Sequence, residues 1–262
     1  MNFCLRSRVS KKFLERASEI RVDYRDKESI PDIYHEFKKT IILFPALNNE
    51  PYDWKEILNY IILCEGNLVI SCPTQEIVNE AKDKKLRFMY ATEARTEWEL
   101  EGMEKEGAEY AYVGMPLFFN LPDIRDRHNI KLRTIPTVAY NHHYPHGDPA
   151  CGQWIRPEDV EAYEDLIDVM EFEFCDVPRE ETLYKVYAID QQWSTRMDIL
   201  IDDIDSNALN RYIDPSLIDA RLTCGQRCYM GGHCHFCKTA LKMASDDMIK
   251  KLTPIIEKNK KI

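Results

Sequence analysis

Glycine is scarce in this sequence, nine residues in 262. None of them builds a Gly-x-Gly-x-x-Gly or Walker-type loop, so a nucleotide cofactor cradled on a glycine-rich turn has no support. No internal repeat, low-complexity tract or glycine-rich linker interrupts the chain. The most apolar segment, Ile57 to Cys64, is far too short to span a membrane, which excludes a membrane partner. The first residues, Met-Asn-Phe-Cys-Leu-Arg-Ser-Arg, lack the apolar core of a signal peptide, and the expected location is the cytoplasm. Excess positive charge is missing as well. A net charge of −10 excludes a broad DNA-binding face, since phosphate binding needs a positive footprint. Two local basic groups remain, Lys11, Lys12, Arg16, Arg21 and Arg25, then Arg125, Arg127, Lys131 and Arg133, and solvated faces and loop charges account for both.

What the chain has is cysteine, nine residues, four of them in the run Cys224-Gly-Gln-Arg-Cys228-Tyr-Met-Gly-Gly-His-Cys234-His-Phe-Cys237. Structural zinc sites usually pair two knuckles about 12 to 20 residues apart. This Cys-x3-Cys-x5-Cys-x2-Cys spacing is tighter. Compact thiolates in a glycine-bearing loop suit an iron–sulfur cluster. Zinc stays open beside it, because His233 or His235 could replace a thiolate. Disulfides fit less well with an odd cysteine count and a cytoplasmic location. A helix is expected to begin after Cys237, its positive end toward the thiolates.

With 44% hydrophobic and 31% charged residues the chain reads as an ordinary soluble protein able to bury a sizeable core. Short apolar runs recur about every 20 to 30 residues between segments of helical spacing, the rhythm of repeated β–α units. Seven strands are expected: Ile20–Tyr24, Thr40–Pro45, Asn67–Cys72, Leu86–Ala91, Tyr110–Val113, Lys131–Ala139 and Val169–Phe174. Ile41-Ile-Leu-Phe and Leu68-Val-Ile-Ser-Cys look buried on both faces. Helices are expected from Trp54 and from Gln75, the second capped by Thr74, and again after Pro157, with a further one around Thr182–Asp190. Seven strands leave two architectures, a barrel with one strand missed or lost and an open doubly wound sheet.

Three segments carry a resemblance. Gly107-Ala-Glu-Tyr-Ala-Tyr-Val-Gly-Met-Pro-Leu-Phe-Phe, Ile130-Lys-Leu-Arg-Thr-Ile-Pro-Thr-Val and Trp154-Ile-Arg-Pro-Glu-Asp-Val-Glu-Ala-Tyr-Glu-Asp are similar, in this order, to segments of the collagenase-like peptidase family, peptidase U thirty-two, and its shorter relatives. With the terminal cysteines the match spans about residues 107 to 240. The resemblance implies an α/β fold of TIM-type (β/α) barrel form, incomplete or distorted where one strand is unaccounted for. The pattern of the chain itself degrades after Phe174, and the expected division is residues 1–205 as the barrel and 206–262 as a cysteine-rich segment and helix, packed on the barrel as a cap or lying beside it as a small lobe. The resemblance also implies a 4Fe–4S cluster on Cys224, Cys228, Cys234 and Cys237, and oxygen-independent hydroxylation or modification of RNA or a small aromatic metabolite, often with a partner protein of the same family. The family's cluster cysteines are more widely spread, so Cys151 could substitute for one of the four. A shortened second half leaves a non-enzymatic zinc- or cluster-binding scaffold as the alternative. The peptidase label has no Ser/His/Asp set or zincin motif behind it here.

In a barrel the C-terminal strand ends form the active face. Expected there are Asp23, Tyr24, Asn48, Asn49, Cys72, Thr92 and Glu93, then Tyr140-Asn141-His142-His143 and His146. His142 is the candidate acid/base or ligand, since imidazole titrates near neutrality. Glu171 and Glu173 project to one side of their strand. They could act as paired carboxylates or as ion-pair partners of inward arginines such as Arg21 or Arg133. Cys72 and Cys175 read as small core residues. Trp154, Phe118 and Phe119 could stack on a planar substrate or pack in the core. By the resemblance Arg156 is a site residue, its guanidinium placed to clamp a carboxylate or phosphate.

Overall fold

A computed structural model describes residues 1–45, 52–114, 117, 120–136, 155, 157–172 and 177–190. Eight parallel strands close into a barrel in chain order. They are β1 (Asn2–Arg6), β2 (Glu19–Asp23), β3 (Thr40–Phe44), β4 (Leu68–Cys72), β5 (Phe88–Ala94), β6 (Tyr110–Val113), β7 (Lys131–Thr134) and β8 (Val169–Glu171). Between them run α1 (Lys11–Leu14), α2 (Ile30–Phe37), α3 (Trp54–Leu63), α4 (Gln75–Asp83), α5 (Glu97–Lys105) and α6 (Leu121–Arg127), and α7 (Val177–Lys185) follows β8.

The TIM-type barrel is therefore present and closed. The strand missing from the sequence reading is the first. Asn2–Arg6 pairs with β2 on one side and, through Asn2↔Val169, Phe3↔Met170 and Cys4↔Glu171, with β8 on the other. Most boundaries also shift, by one residue for β2, β3 and β4 and by more for β5, β7 and β8. β7 ends at Thr134, two residues before Pro136, which has no N–H for a ladder. β5 runs on to Ala94, so Thr92 and Glu93 lie within the strand instead of beyond it. The turn begun by Pro157 is a 3₁₀ helix, Pro157–Tyr163.

Local chemistry explains the elements. Asp53 caps α3 by accepting from Lys55 N and Glu56 N at 3.0 and 3.2 Å, and Thr74 caps α4. Thr96 and Glu99 form a reciprocal capping box on α5. Gly107 takes φ +85°, a left-handed turn that starts β6 and that other side chains resist. Every residue of β4 is buried, as a strand covered on both faces requires. One apolar shell, including Ile20, Ile41, Leu43, Ile70 and Leu132, lies between strands and helices. A second, smaller cluster, Cys4, Ile42, Phe44, Val69, Met89, Tyr110, Tyr112, Ile135 and Val169, fills the barrel itself. Among the described residues no helix is long and apolar enough to cross a membrane. The expected boundary between residues 205 and 206 lies outside the described residues.

Candidate functional site

The strand register sorts the inward side chains into layers. Arg21 is in register with Ile42, Ile42 with Val69, and Ser71 with Met89. Tyr112 is in register with Arg133, Arg133 with Val169, and Glu171 with Cys4. In a tilted barrel this staggering places Arg21, Ser71, Tyr112 and Glu171, from the even strands, in one layer on the C-terminal side. Cys4, Ile42, Met89 and Arg133 form the layer below, and Glu19, Val69, Tyr110 and Val169 the lowest.

Ordinary barrel layers are filled with branched aliphatics. Here a connected ionic network occupies half of the interior. Tyr110 donates to Glu19 Oε1 at 2.6 Å, and Arg133 Nη1 donates to Glu19 Oε2 at 2.6 Å. Arg133 Nη2 reaches Glu171 Oε2 at 2.9 Å, where the Tyr112 hydroxyl also donates at 2.6 Å. Arg21 Nη1 donates to Glu171 Oε1 at 2.7 Å, and its guanidinium lies 3.7 Å from the centroid of the Phe44 ring. Above it, Asp23 sits 3.6 Å from both Arg21 Nε and Arg25 Nη2. Glu180, brought in by α7, accepts from Arg6 N at 2.8 Å and from the Arg6 side chain at the end of β1.

Electrostatics fix the charge states. Burial alone would raise the pKa of Glu171, but Arg21 and Arg133, with Tyr112 donating, outweigh it and hold the carboxyl below its ordinary value. Burial would likewise lower the pKa of Arg133, and the groups around it, Cys4, Tyr112, Glu19 and Glu171, raise it well above normal. Glu171 thus stays ionised with both oxygens engaged. It can hold Arg21 in a fixed orientation, and it is poorly placed to carry a shared proton with a second acid. Burial pushes the Cys4 thiol and the Tyr110 phenol up, so both stay protonated.

Of the residues expected at the active face, Glu171 and Asp23 are brought together through Arg21. The ion pairs of Glu171 with Arg21 and Arg133 are those considered from the sequence. Tyr24 instead packs edge-on against Tyr52, ring centroids 4.9 Å apart, and accepts from Asp53 N at 2.7 Å, bracing the entry to α3. Cys72 is buried, its thiol donating to Ile70 O at 3.6 Å. The second basic group does not form a patch. Arg125 pairs with Asp168 at 3.0 Å, Arg127 with Glu97 at 3.1 Å and Lys131 with Glu109 at 3.0 Å, while Arg133 is interior.

His142, His143, His146, Arg156, Glu173, Cys175, Cys151 and the four cysteines Cys224, Cys228, Cys234 and Cys237 lie outside the described residues, as do Asn48, Asn49, Phe118, Phe119, Tyr140, Asn141 and Trp154. Among the described residues no group of three or more His, Cys, Asp or Glu is placed to hold a metal ion. Sequence reasoning did not single out Glu19, Cys4, Ser71, Tyr110 or Tyr112. The available signal was the strict polar alternation of Glu19-Ile-Arg-Val-Asp23.

No family model and no curated protein matches this sequence. Among solved structures the chain is similar to a cube-shaped, highly porous protein cage designed by fusing symmetric oligomeric domains, with 14% identity, 98% of each chain covered and a TM-score of 0.38.

Proposed function

We propose that this chain is a cytoplasmic iron–sulfur enzyme that modifies RNA or a small aromatic metabolite, by hydroxylation without molecular oxygen or a related reaction, at the C-terminal mouth of its barrel. One observation carries the reading: the ion pair of Arg21 with Glu171, braced from the layer below by Arg133, replaces aliphatic filling on the side of the barrel where catalysis is usually placed. Buried ion pairs are an inefficient way to stabilise a core, so their presence in that layer points to a task beyond packing. Glu171 orients Arg21 against Phe44, a flat cationic surface suited to a planar ring. His142 is the candidate acid/base, Arg156 the candidate anion clamp, and Glu173 the second carboxylate. Cys224, Cys228, Cys234 and Cys237, with Cys151 as a substitute, would hold a 4Fe–4S cluster, which supplies one-electron transfer when bound. The resemblance to the collagenase-like peptidase family supports this cofactor, this chemistry and a partner protein of the same family.

A non-enzymatic scaffold on structural zinc is favoured by a different observation: Glu171 has both oxygens occupied by Arg21, Arg133 and Tyr112 and is not an open base. Metal analysis separates the two. Protein purified without oxygen is expected to carry about four irons and four acid-labile sulfides per chain with a broad absorbance band near about 400 nm. Cys234→Ala should lose them together with activity. Zinc alone, at about one ion per chain, would replace the enzyme reading with the scaffold.

A further inference from the structure

The upper interior layer holds a hydroxyl that its neighbours do not explain. Ser71 alternates with Val69 toward the barrel axis, is 0% exposed, and its Oγ has no hydrogen-bond partner among the described residues. Its main chain needs no help from that hydroxyl. Tyr52 already donates to Ser71 O at 2.9 Å on the outer side. Size does not explain it either. A layer that also contains Arg21, Tyr112 and Glu171 needs a small fourth residue, and alanine would serve without leaving a polar atom dry. Buried hydroxyls are otherwise almost always bonded, because a dry one is destabilising.

The surroundings define what would satisfy it. The interior charges pair off, Arg21 and Arg133 with Glu171 and Glu19, so this network carries no surplus charge to attract an ion. On the side of β4 the interior residues are Met89, registered against Ser71, with Ile42, Phe44 and Val69 in the same cluster. An uncharged polar group with an apolar remainder matches both halves.

We propose that Ser71 is a substrate-binding residue of the C-terminal mouth. Its hydroxyl donates to the carbonyl of a neutral amide-type group, whose apolar part lies against Met89 and Phe44. The inference rests on the active face proposed above.

The test uses the full chain labelled at its methionine methyl groups, with the Met89 resonance assigned through Met89→Leu. Acetamide and acetate are the probes, alike in shape and different in charge. Acetamide should shift the Met89 methyl signal in a saturable way and acetate should not. Ser71→Ala should weaken acetamide binding about tenfold, the scale of one lost hydrogen bond, while its unfolding temperature stays the same or rises. Acetate binding as well as acetamide, or unchanged acetamide binding by Ser71→Ala, would overturn the proposal. So would a drop in the unfolding temperature or a failure to fold, because the hydroxyl would then be a structural element. The titration needs neither iron nor turnover. Its failure on protein that carries iron and sulfide removes the role of Ser71 and leaves the enzyme reading standing.

Discussion

Arg133 Nη2 lies 2.9 Å from Glu171 Oε2 inside the barrel, with 0% and 2% of the two side chains exposed. One comes from β7 and the other from β8, and the same guanidinium holds Glu19 on β2, so three strands are tied across the interior. Removing one partner leaves the others charged and dry, which typically costs about 3–5 kcal/mol. Arg133→Met should therefore lose about that much in urea unfolding, while the double variant with Glu171→Gln should lose less than the two single effects combined, since they share one network. A loss below about 1 kcal/mol for Arg133→Met would show that the interior tolerates unpaired acids and that the network is not closed to water.

The same network predicts a pH dependence. Glu171 has a depressed folded-state pKa, so its contribution is present above the unfolded value of about 4.3 and is lost as pH falls through the folded value. Glu180 has the opposite sign, because burial lifts its carboxyl above normal despite Arg6 beside it. Its contribution is present below about 4.3 and is lost as pH rises through its folded value. In urea midpoints followed from about pH 2 to pH 7, Glu171→Gln should flatten the acid limb and Glu180→Gln should steepen it. An acid limb unchanged by Glu171→Gln would refute the assignment.

These residues also show where the sequence was legible. Seven strands were visible because runs such as Leu68-Val-Ile-Ser-Cys are apolar on both faces. The inward arginines were visible too, in the alternation of Arg21 and Arg133 with apolar neighbours. β1 was not visible, since Phe3-Cys4-Leu5 is only three apolar residues between Asn2 and Arg6, and burial on both faces erases the period of two. Glu19, Ser71 and the two tyrosines stayed hidden for a different reason. An alternating strand does not announce which face turns inward, and only closure between β1 and β8 decides that Glu19 and Glu171 meet Arg133 in the interior.

Gly114 and Gly102 should respond oppositely to alanine. A Cβ on Gly114, just past β6, would sit 2.8 Å from Ala94 O, a backbone atom that also accepts from Gly114 N at 2.7 Å and so has no room to yield. Gly114→Ala is expected to destabilise by about 1–3 kcal/mol. A Cβ on Gly102, within α5, meets nothing within 4 Å, and Gly102→Ala should stabilise by about 0.5–1 kcal/mol through helix propensity and a stiffer unfolded chain. Thermal unfolding of both variants checks the pair, and a neutral Gly114→Ala would show that β5 and β6 diverge at this point.

Cysteine reactivity separates two kinds of protection. Cys4, Cys64 and Cys72 are buried, and burial raises all three thiols, Cys64 to about 11, Cys72 to about 12 and Cys4 well above normal. At about pH 8 roughly one part in a thousand of Cys64 would be thiolate, so iodoacetamide should leave the three unmodified in the folded protein and modify them in urea. The cysteines proposed to hold the cluster are protected differently, as metal-bound thiolates. Oxidation and chelation of the iron should expose Cys224, Cys228, Cys234 and Cys237 to the reagent, while Cys4, Cys64 and Cys72 remain silent. Peptide mass spectrometry reads each site. Labelling of Cys4 before denaturation would mean that the seam between β1 and β8 opens, because Cys4 sits in register with Glu171 across that seam.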